Sequence, residues 1–367
     1  MGRGKLLGML VLTATAALAA EDRKPAAAKP EPDRFAMVAG TADQDASPQT
    51  RAVLDYFKAL PARTDKRLVS GQFMGWFPVC SLATAHDVYL QTGQWVGVAG
   101  FDYYETVAGT PKTKPDRFKP PRWQAINAFA KAYWETGGLV TISCHLTNPW
   151  DGKQAWSTTG KFEDLLDKTT PAYARYREQT DAVAAGLDEL QRAGVTVLFR
   201  PFHEMTGAWF WWGKRDPETF RQVWRQLFDT FTHEKGLHNL IWVWSPAVDA
   251  AALNYYPGNA YVDMTGLDIY AADVAVGKDV YGELKKTGKP FAVTEFGPPG
   301  DTQDPASPRH YDYGPFAKSV REQLPDTVFF LAWRDAWGLH RNLNAKTLLN
   351  DPLVVNRDGL DFQRQPK

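Results

Sequence analysis

The stretch TDAVAAGLDELQRAGVTVLFRPFHE, residues 180–204, shows the unit from which the fold is predicted. Residues 180–193 have the apolar spacing of an amphipathic helix, and Gly194 is the residue type that most often follows the end of one. The apolar run 195–201 comes next, with the length and the Val and Phe content of a buried strand. A helix that leads directly into a buried strand is the repeating unit of a parallel α/β fold.

The same alternation continues after residue 50, and it predicts a single (β/α)8 TIM barrel, an α/β fold, over residues 49–367. An open doubly wound sheet is the alternative, but no G-x-G-x-x-G sequence follows the first apolar run. The segment after the fifth run has no helical pattern, so we expect one barrel helix to be short or replaced by a loop. The predicted strands are 68–72, 95–101, 139–145, 195–201, 240–245, 264–269, 291–296 and 328–333, and the clearest predicted helices are 123–136, 180–193, 216–234, 281–287 and 315–324.

Charge and composition narrow the class of partner. The chain has 42 Lys and Arg against 42 Asp and Glu, a balance that argues against nucleic acid or an anionic membrane as the main partner. It also has 14 Trp and 14 Tyr, many of them in glycine- and proline-rich segments. Aromatic rings near a cleft suit the apolar faces of sugar rings, although any single Trp has a place in the core as its alternative.

The N-terminal residues predict export. A positively charged start, a short apolar run and an Ala-Leu-Ala cleavage site predict a signal peptide over residues 1–19. Residues 20–48 are predicted to be a disordered Pro- and Ala-rich linker with a segment that leads into the barrel. We therefore expect a secreted or periplasmic protein without a membrane span after signal removal. Export permits a disulfide between Cys80 and Cys144, but the sequence leaves open whether they pair.

Polar and charged side chains follow several of the apolar runs, where the functional residues of a (β/α)8 barrel lie. Glu204 and Glu295 stand out because each follows a strongly apolar run, where a buried charge is costly. Cleavage of a glycosidic bond needs two such carboxyl groups, and a separation of ~5–5.5 Å gives a retaining mechanism. The alternative is that each Glu only pairs with a nearby Arg. His203 does not begin a zinc-protease motif because position 207 is Gly, and G-x-S-x-G is absent, so we expect no metal and no cofactor.

Two motifs carry a resemblance to a known family. RPFHEMTGAWFWWG at 200–213 resembles the acid/base motif of glycoside hydrolase family 26, best known for β-mannanases, and VTEFG at 293–297 resembles its nucleophile motif. Many members have Asn where this chain has Thr206, a departure that bears on sugar specificity. Shorter supporting stretches follow in the family's order across residues ~50–340, the whole predicted barrel: SGQ at 70–72, ISCH at 142–145, DIY at 268–270 and WR at 333–334.

The resemblance implies roles for the residues of these motifs. Glu204 would be the general acid/base, and Glu295 the nucleophile, hydrogen-bonded by Arg200 and Tyr270. The remaining predicted substrate-binding residues are His145, His203 and Trp209 around the attacked sugar, Trp333 stacked under a ring, Arg334 at a hydroxyl of the next sugar on the non-reducing side, Trp150 as a platform elsewhere in the cleft, and Asp268 beside the carboxyl pair. The alternative for His203 is a structural role as a hydrogen-bonded histidine of the core. The alternative for Asp268 is that it only orients neighbouring side chains.

Together these observations predict a secreted, retaining endo-β-1,4-mannanase that acts as a monomer on mannan, glucomannan or galactomannan. Within the same class, the alternatives are a barrel that cuts mixed-linkage glucan or xylan and an exo-acting mannobiohydrolase. The basic segment 106–121 would decide between exo and endo action by blocking or extending the cleft. From another class, a non-catalytic glycan-binding barrel is the alternative, which the presence of both Glu204 and Glu295 disfavours.

Overall fold

Eight parallel strands close into a barrel in the computed structural model, which describes residues 33–105, 122–298 and 311–362. The described sheet has ten strands, of which β2 to β9 form the barrel: β1 (Leu68–Val69), β2 (Gly71–Phe77), β3 (Val98–Glu105), β4 (Leu139–Ser143), β5 (Val197–Arg200), β6 (Leu240–Trp244), β7 (Met264–Ile269), β8 (Phe291–Phe296), β9 (Thr327–Ala332) and β10 (Val354–Val355). Neighbours from β2 to β9 pair in parallel and in chain order, and β9 also pairs with β2, which closes the ring. The short strands β1 and β10 extend the sheet at the start of β2. The predicted (β/α)8 barrel is confirmed.

Helices follow most of the barrel strands and cover the outside of the sheet. Their bounds are α1 (Pro48–Ala59), α2 (Ala83–Thr92), α3 (Gln124–Glu135), α4 (Pro171–Arg192), α5 (Pro217–Asp229), α6 (Lys278–Leu284), α7 (Phe316–Gln323) and α8 (Ala345–Leu349). After β6 the described chain forms only two short 3₁₀ turns, Ala252–Tyr255 and Asn259–Tyr261. This confirms the expectation that one barrel helix is replaced by a loop.

The predicted strand bounds agree with the structure best where the apolar run is bounded by turn residues. Strands β7 and β8 have the predicted bounds, 264–269 and 291–296. Strand β3 starts at Val98, later than predicted, and continues to Glu105 through the aromatic residues that follow the apolar run. Every residue of β4 to β9 is buried, because the helices cover one face and the barrel interior fills the other.

Helix α4 starts earlier than the predicted helix 180–193. Thr170 caps it by accepting the backbone N–H of Tyr173, and Pro171 occupies the first position, where a missing N–H costs nothing. Its first half is rich in charged residues, which hides the apolar spacing in the sequence. Helix α5, within the predicted helix 216–234, is capped by Asp216, which accepts the backbone N–H of Thr219, and it passes into a π-helical turn at Thr230–Glu234.

The described residues test some of the predictions made for the N-terminal segment, the two cysteines and the membrane. The predicted signal peptide, residues 20–32 of the predicted linker and entry segment, and the segment 106–121 lie outside the described residues. Residues 33–47 pack on the barrel: Ala42 donates its N–H to the buried Asp263 carboxylate at 2.6 Å. Cys80 and Cys144 are both buried free thiols, so no disulfide joins them. Among the described helices, none combines the length and apolar character that crossing a bilayer requires.

Gly71 stands where the barrel closes, on the first residue of β2 beside β9. A Cβ added at this position would collide with the backbone carbonyl oxygen of Phe330 in β9. Backbone atoms of a closed barrel cannot move away independently, so the close approach of the two strands requires glycine. Gly282 in α6 is a matched contrast, because an added Cβ there meets no atom within 4 Å.

We expect Gly71→Ala to lower the free energy of unfolding by about 1–3 kcal/mol through overpacking at the closure. Gly282→Ala should instead raise it by up to about 1 kcal/mol, because alanine favours the helix. Chemical denaturation of both variants, with the wild-type chain alongside, measures the two effects. Equal effects of the two substitutions would show that the closure does not depend on Gly71.

Candidate active site

Three carboxyl groups meet at the carboxyl ends of the barrel strands. Glu204 follows β5, Asp268 lies in β7 and Glu295 lies in β8, and all three side chains are buried. One oxygen from each lies within 4.8 Å of the others. The structure therefore brings together the two glutamates that the sequence singled out, with Asp268 beside them as expected from the sequence.

Arg200 supplies the positive charge of this cluster. Its guanidinium is fully buried at the end of β5, donates to Asp268 at 2.7 Å and to Ser245 at 3.2 Å, and forms an ion pair with Glu295. Burial alone would lower the pKa of Arg200, but the two carboxylates raise it, so the side chain stays charged. In the described part of the chain, this carboxyl cluster is the one group with the spacing of a metal site, and Arg200 already neutralises part of its charge.

Asp268 is held between Arg200 and β8. Thr294 donates its hydroxyl to the second oxygen of Asp268 at 2.6 Å. Burial raises the pKa of Asp268 well above its ordinary value, against the opposing effect of Arg200, and the negative charge of Glu295 adds to the rise. Asp268 therefore has the contacts of a residue that orients the Arg200–Glu295 pair.

Glu295 has both oxygens engaged. Besides Arg200, Tyr270 donates its hydroxyl to Glu295 at 2.7 Å. The ring of Tyr270 is 44% exposed, while its hydroxyl points inward to the carboxylate. Burial of the hydroxyl and the charge of Glu295 raise the pKa of Tyr270, which keeps it a hydrogen-bond donor. Two donors on separate oxygens fix the plane of the Glu295 carboxylate.

Glu204 lies on a strained turn that follows β5. Its φ is 55° and that of Phe202 is 48°, both in the left-handed region that residues with a Cβ seldom adopt. Its backbone N–H is bonded to the carbonyl of Ser245 at 2.8 Å, and the indole N–H of Trp209 donates to its carboxyl at 2.5 Å. Burial, with the charge of Glu295 second, raises the pKa of Glu204 to about 7.

A second group of polar side chains borders the carboxyl cluster. His145 makes a bond of 2.7 Å from Nδ1 to Asp102, and its Nε2 lies 3.2 Å from Nε2 of His203. The backbone carbonyl of His203 accepts the indole N–H of Trp212 at 2.7 Å, which fixes that residue from behind. Burial, Arg200 and His145 lower the pKa of His203 well below its ordinary value, so this ring is neutral.

Aromatic rings form the walls of the cleft beside these groups. Trp209 is 43% exposed, and Trp156 is 39% exposed and stacks on His145 with ring centroids 5.2 Å apart. Trp211 and Trp212, which lie close to Glu204 in the sequence, are both fully buried. The exposed ring in the loop after β4 that contacts this site is thus Trp156.

Trp150, the platform predicted in that loop, has different surroundings. Its indole N–H donates to Asp164 at 2.8 Å, and its ring packs edge-on against the buried Trp211. Gly160 leaves the space that this ring fills. Among the described contacts of Trp150, none involves the carboxyl cluster, so its contribution to sugar binding stays a prediction.

Trp333 and Arg334 follow β9 at the other side of the barrel mouth. The half-buried Trp333 stacks on Phe73 with ring centroids 3.8 Å apart, and the Arg334 guanidinium lies over the ring of Trp76 at 4.8 Å. Arg334 also pairs with Asp335 at 3.1 Å. These contacts support both side chains from below, at the end of the barrel that bears the carboxyl cluster.

Sequence reasoning missed several side chains of the site, among them Asp102, Thr294 and Trp156. Asp102 follows the predicted second strand directly, so the same inspection of strand ends could have found it. Thr294 adjoins Glu295 within a strand, and its alternation to the other face of the sheet gives no hint that it reaches Asp268. Trp156 lies in a long loop, where no sequence signal separates an exposed Trp from a buried one.

Comparison with known proteins gives one consistent result. The sequence model of Glycosyl hydrolase family 26 matches residues 42–359. The chain is 36% identical over 337 residues to mannan endo-1,4-beta-mannosidase A and B of Caldalkalibacillus mannanilyticus, covering 88% of this chain and 64% of that relative's length. It is 34% identical over 326 residues to mannan endo-1,4-beta-mannosidase of Bacillus subtilis, covering 85% of this chain and 87% of the relative.

Solved structures agree with the sequence relatives. The structure of Bacillus subtilis mannanase man26 superposes with a TM-score of 0.78 at 33% identity, covering 88% of this chain and 96% of that one. The GH26A structure from Muricauda sp. superposes with a TM-score of 0.70 at 26% identity, covering 87% and 100%. The buried carboxyl cluster at the barrel mouth, the matched family model and these relatives together show that the chain is a glycoside hydrolase and belongs to Glycosyl hydrolase family 26.

Proposed function

We propose that this glycoside hydrolase is a retaining endo-β-1,4-mannanase that acts on mannan, glucomannan or galactomannan. The observation that carries the mechanism is the spacing of Glu204 and Glu295, whose nearest oxygens lie within 4.8 Å of each other. Retaining enzymes place their carboxyl groups ~5–5.5 Å apart, whereas inverting enzymes leave ~6.5–9.5 Å for a water molecule. The substrate class comes from the mannan endo-1,4-beta-mannosidases to which the chain is similar.

The first chemical step uses the two glutamates together. An oxygen of Glu295 attacks the anomeric carbon to form a glycosyl ester, and the glycosidic bond breaks as it does so. Glu204 donates its proton to the glycosidic oxygen, which leaves as a hydroxyl group of the departing sugar. Arg200 and Tyr270 hold the Glu295 carboxylate in the attacking orientation. A carboxyl with a pKa of about 7 is a suitable acid, because it is protonated near neutral pH and still a competent donor.

The second step releases the sugar with its original anomeric configuration. Glu204, now a carboxylate, removes a proton from water, and the water oxygen attacks the anomeric carbon from the side that the leaving group vacated. The bond to Glu295 breaks, and its carboxylate returns to Arg200 and Tyr270. The exposed rings of Trp156 and Trp209 flank the acid/base side of the site and offer flat surfaces to sugar rings.

The predicted signal peptide supports action outside the cytoplasm, in a secreted or periplasmic form. The chain is proposed to act as a monomer, because every residue of the carboxyl cluster comes from one barrel.

Product analysis tests the substrate directly. Purified protein is incubated with β-1,4-mannan, glucomannan, mixed-linkage glucan and xylan, and the products are sized over time. We expect rapid loss of mannan chain length with mixed oligosaccharides, as internal cleavage requires. Release of mannobiose alone would overturn endo action, and preferential cleavage of glucan or xylan would overturn the substrate class.

We expect Glu204→Ala and Glu295→Ala each to lower kcat on mannan by about 10³-fold or more, since each removes one partner of the double displacement. With an aryl β-mannoside and azide, Glu295→Ala should form a glycosyl azide of inverted configuration. Glu204→Ala should form the azide of retained configuration, because its glycosyl ester still forms. Near-wild-type turnover in either variant, or exchanged azide products, would contradict the assigned roles.

The pH dependence follows from the pKa of Glu204. Because the proton donor must be protonated in the free enzyme, kcat/KM should fall as the pH rises through about 7. The Trp209 indole bond stabilises the carboxylate form, so Trp209→Phe should raise the pKa of Glu204 and move this alkaline limb to higher pH. The pH profile separates this shift from any uniform loss of binding. A limb that moves to lower pH in Trp209→Phe would be inconsistent with the proposed acid.

A further inference from the structure

Asp102 lies beneath the active site and accepts three hydrogen bonds. One oxygen accepts the backbone N–H of His145 at 3.0 Å, and the other accepts the Ser143 hydroxyl and the Nδ1 of His145, the latter at 2.7 Å. Asp102 is itself fully buried within β3. Because an ionised carboxylate only accepts, a carboxylate here requires the hydrogen of His145 to be on Nδ1.

The position of that hydrogen determines the direction of the next hydrogen bond, between His145 and His203. A neutral His145 with hydrogen on Nδ1 has a lone pair on Nε2, and this atom lies 3.2 Å from Nε2 of His203. The bond between the rings therefore needs the hydrogen of His203 on its Nε2. His203 Nδ1 then carries a lone pair, and that buried atom is without a hydrogen-bond partner among the described residues.

The opposite arrangement is physically worse. If His145 carried its hydrogen on Nε2, His203 would have to carry its own on Nδ1, which would bury a donor without an acceptor. It would also set the lone pair of His145 Nδ1 against the Asp102 carboxylate. Asp102 and His203, the two ends of this series of hydrogen bonds, thus favour the same direction of hydrogen bonding.

We propose that Asp102 is a positioning residue of the active site, which sets the tautomers of His145 and His203 and the charge of His145 near Glu204. The role extends the proposed mannanase mechanism and rests on it for its effect on turnover. The hydrogen-bond direction itself can be tested in the free protein. Asp102 touches no reacting atom, and it acts only through the two rings.

The charge of His145 depends on groups from several strands. Burial alone would lower its pKa, but the charge and hydrogen bond of Asp102 raise it above the ordinary value, with a smaller contribution from Glu295. A charged His145 in turn lowers the pKa of Glu204. The titratable and charged groups around His145 are Asp102 and Tyr104 of β3, Arg200 of β5, His203 and Glu204 of the following turn, and Glu295 of β8.

Asp102→Asn should reverse the chain of hydrogen bonds. The new amide oxygen would keep the backbone N–H of His145, so the amide nitrogen would face His145 Nδ1 and donate to it. His145 would then carry its hydrogen on Nε2. The negative charge of Asp102, which raises the pKa of His145, would be absent. With His145 neutral over more of the pH range, the pKa of Glu204 rises.

Histidine ¹⁵N NMR of the free wild-type protein is the first test, and the chain has only 7 histidines to resolve. His145→Gln and His203→Gln assign the two signals. Above the pH at which the pair takes up a proton, we expect the hydrogen on Nδ1 of His145 and on Nε2 of His203. The reverse pair of tautomers in the wild type would overturn the proposal, whatever substrate the protein cleaves.

The second test is kinetic and compares Asp102→Asn with Ser143→Ala, which removes a different donor to the same carboxylate. We expect Asp102→Asn to lower kcat about tenfold or more and to move the alkaline limb of kcat/KM to higher pH. Ser143→Ala should leave the limb at its wild-type position, because the Asp102–His145 bond remains. An unmoved limb in Asp102→Asn, or the same shift in both variants, would overturn the role of Asp102. A wild-type protein inactive on mannan would instead refute the proposed function and leave the NMR test intact.

Discussion

The buried guanidinium of Arg200 is the interaction on which the arrangement of the site depends. It reaches from β5 to Asp268 on β7 and Glu295 on β8, and so joins three strand ends that are not all neighbours. Removing one partner from such a buried pair leaves an uncompensated charge, at a typical cost of about 3–5 kcal/mol. With three carboxyl groups around one guanidinium, full ionisation would leave excess negative charge in a buried site. Burial raises the pKa values of Glu204 and Asp268, and the negative charge of Glu295 adds to both rises.

The turn after β5 shows how the chain spends stability to place one of those carboxyls. Positive φ values at Phe202 and Glu204 each cost on the order of 1–3 kcal/mol and persist only where surrounding contacts require them. Those contacts are present: the Glu204 N–H is bonded to Ser245, and Trp212 binds the carbonyl of His203. Trp212, and Trp211 with its ring edge-on against Phe202, thus support the turn. Of the three tryptophans in this stretch, only Trp209 is exposed.

Sequence reasoning succeeded where a local pattern has one physical meaning. Apolar runs bounded by turn residues identified β7 and β8, and a carboxyl group after such a run identified Glu204 and Glu295. It could not choose between residues whose surroundings depend on long-range packing. Trp150 and Trp156 occupy the same loop, but the structure packs Trp150 against Trp211 and stacks Trp156 on His145. Only the folded loop decides which ring faces the cleft, so composition could predict aromatic walls but not their members.

The spacing of the carboxyl pair and its proton cycle have one common cause under the proposed mechanism. The charge of Glu295 helps to hold a proton on Glu204 in the free enzyme, because the two groups are buried at short range. Formation of the glycosyl ester removes that charge, so the pKa of Glu204 falls after it has given up its proton. The residue is then a carboxylate at the stage where water must be deprotonated, and breakdown of the ester restores the charge that favours reprotonation. A wider separation would weaken the effect of the Glu295 charge on the pKa of Glu204, and it would also hinder the attack on the anomeric carbon. The distance that permits covalent catalysis is therefore also the distance that lets Glu204 change from acid to base between the two steps.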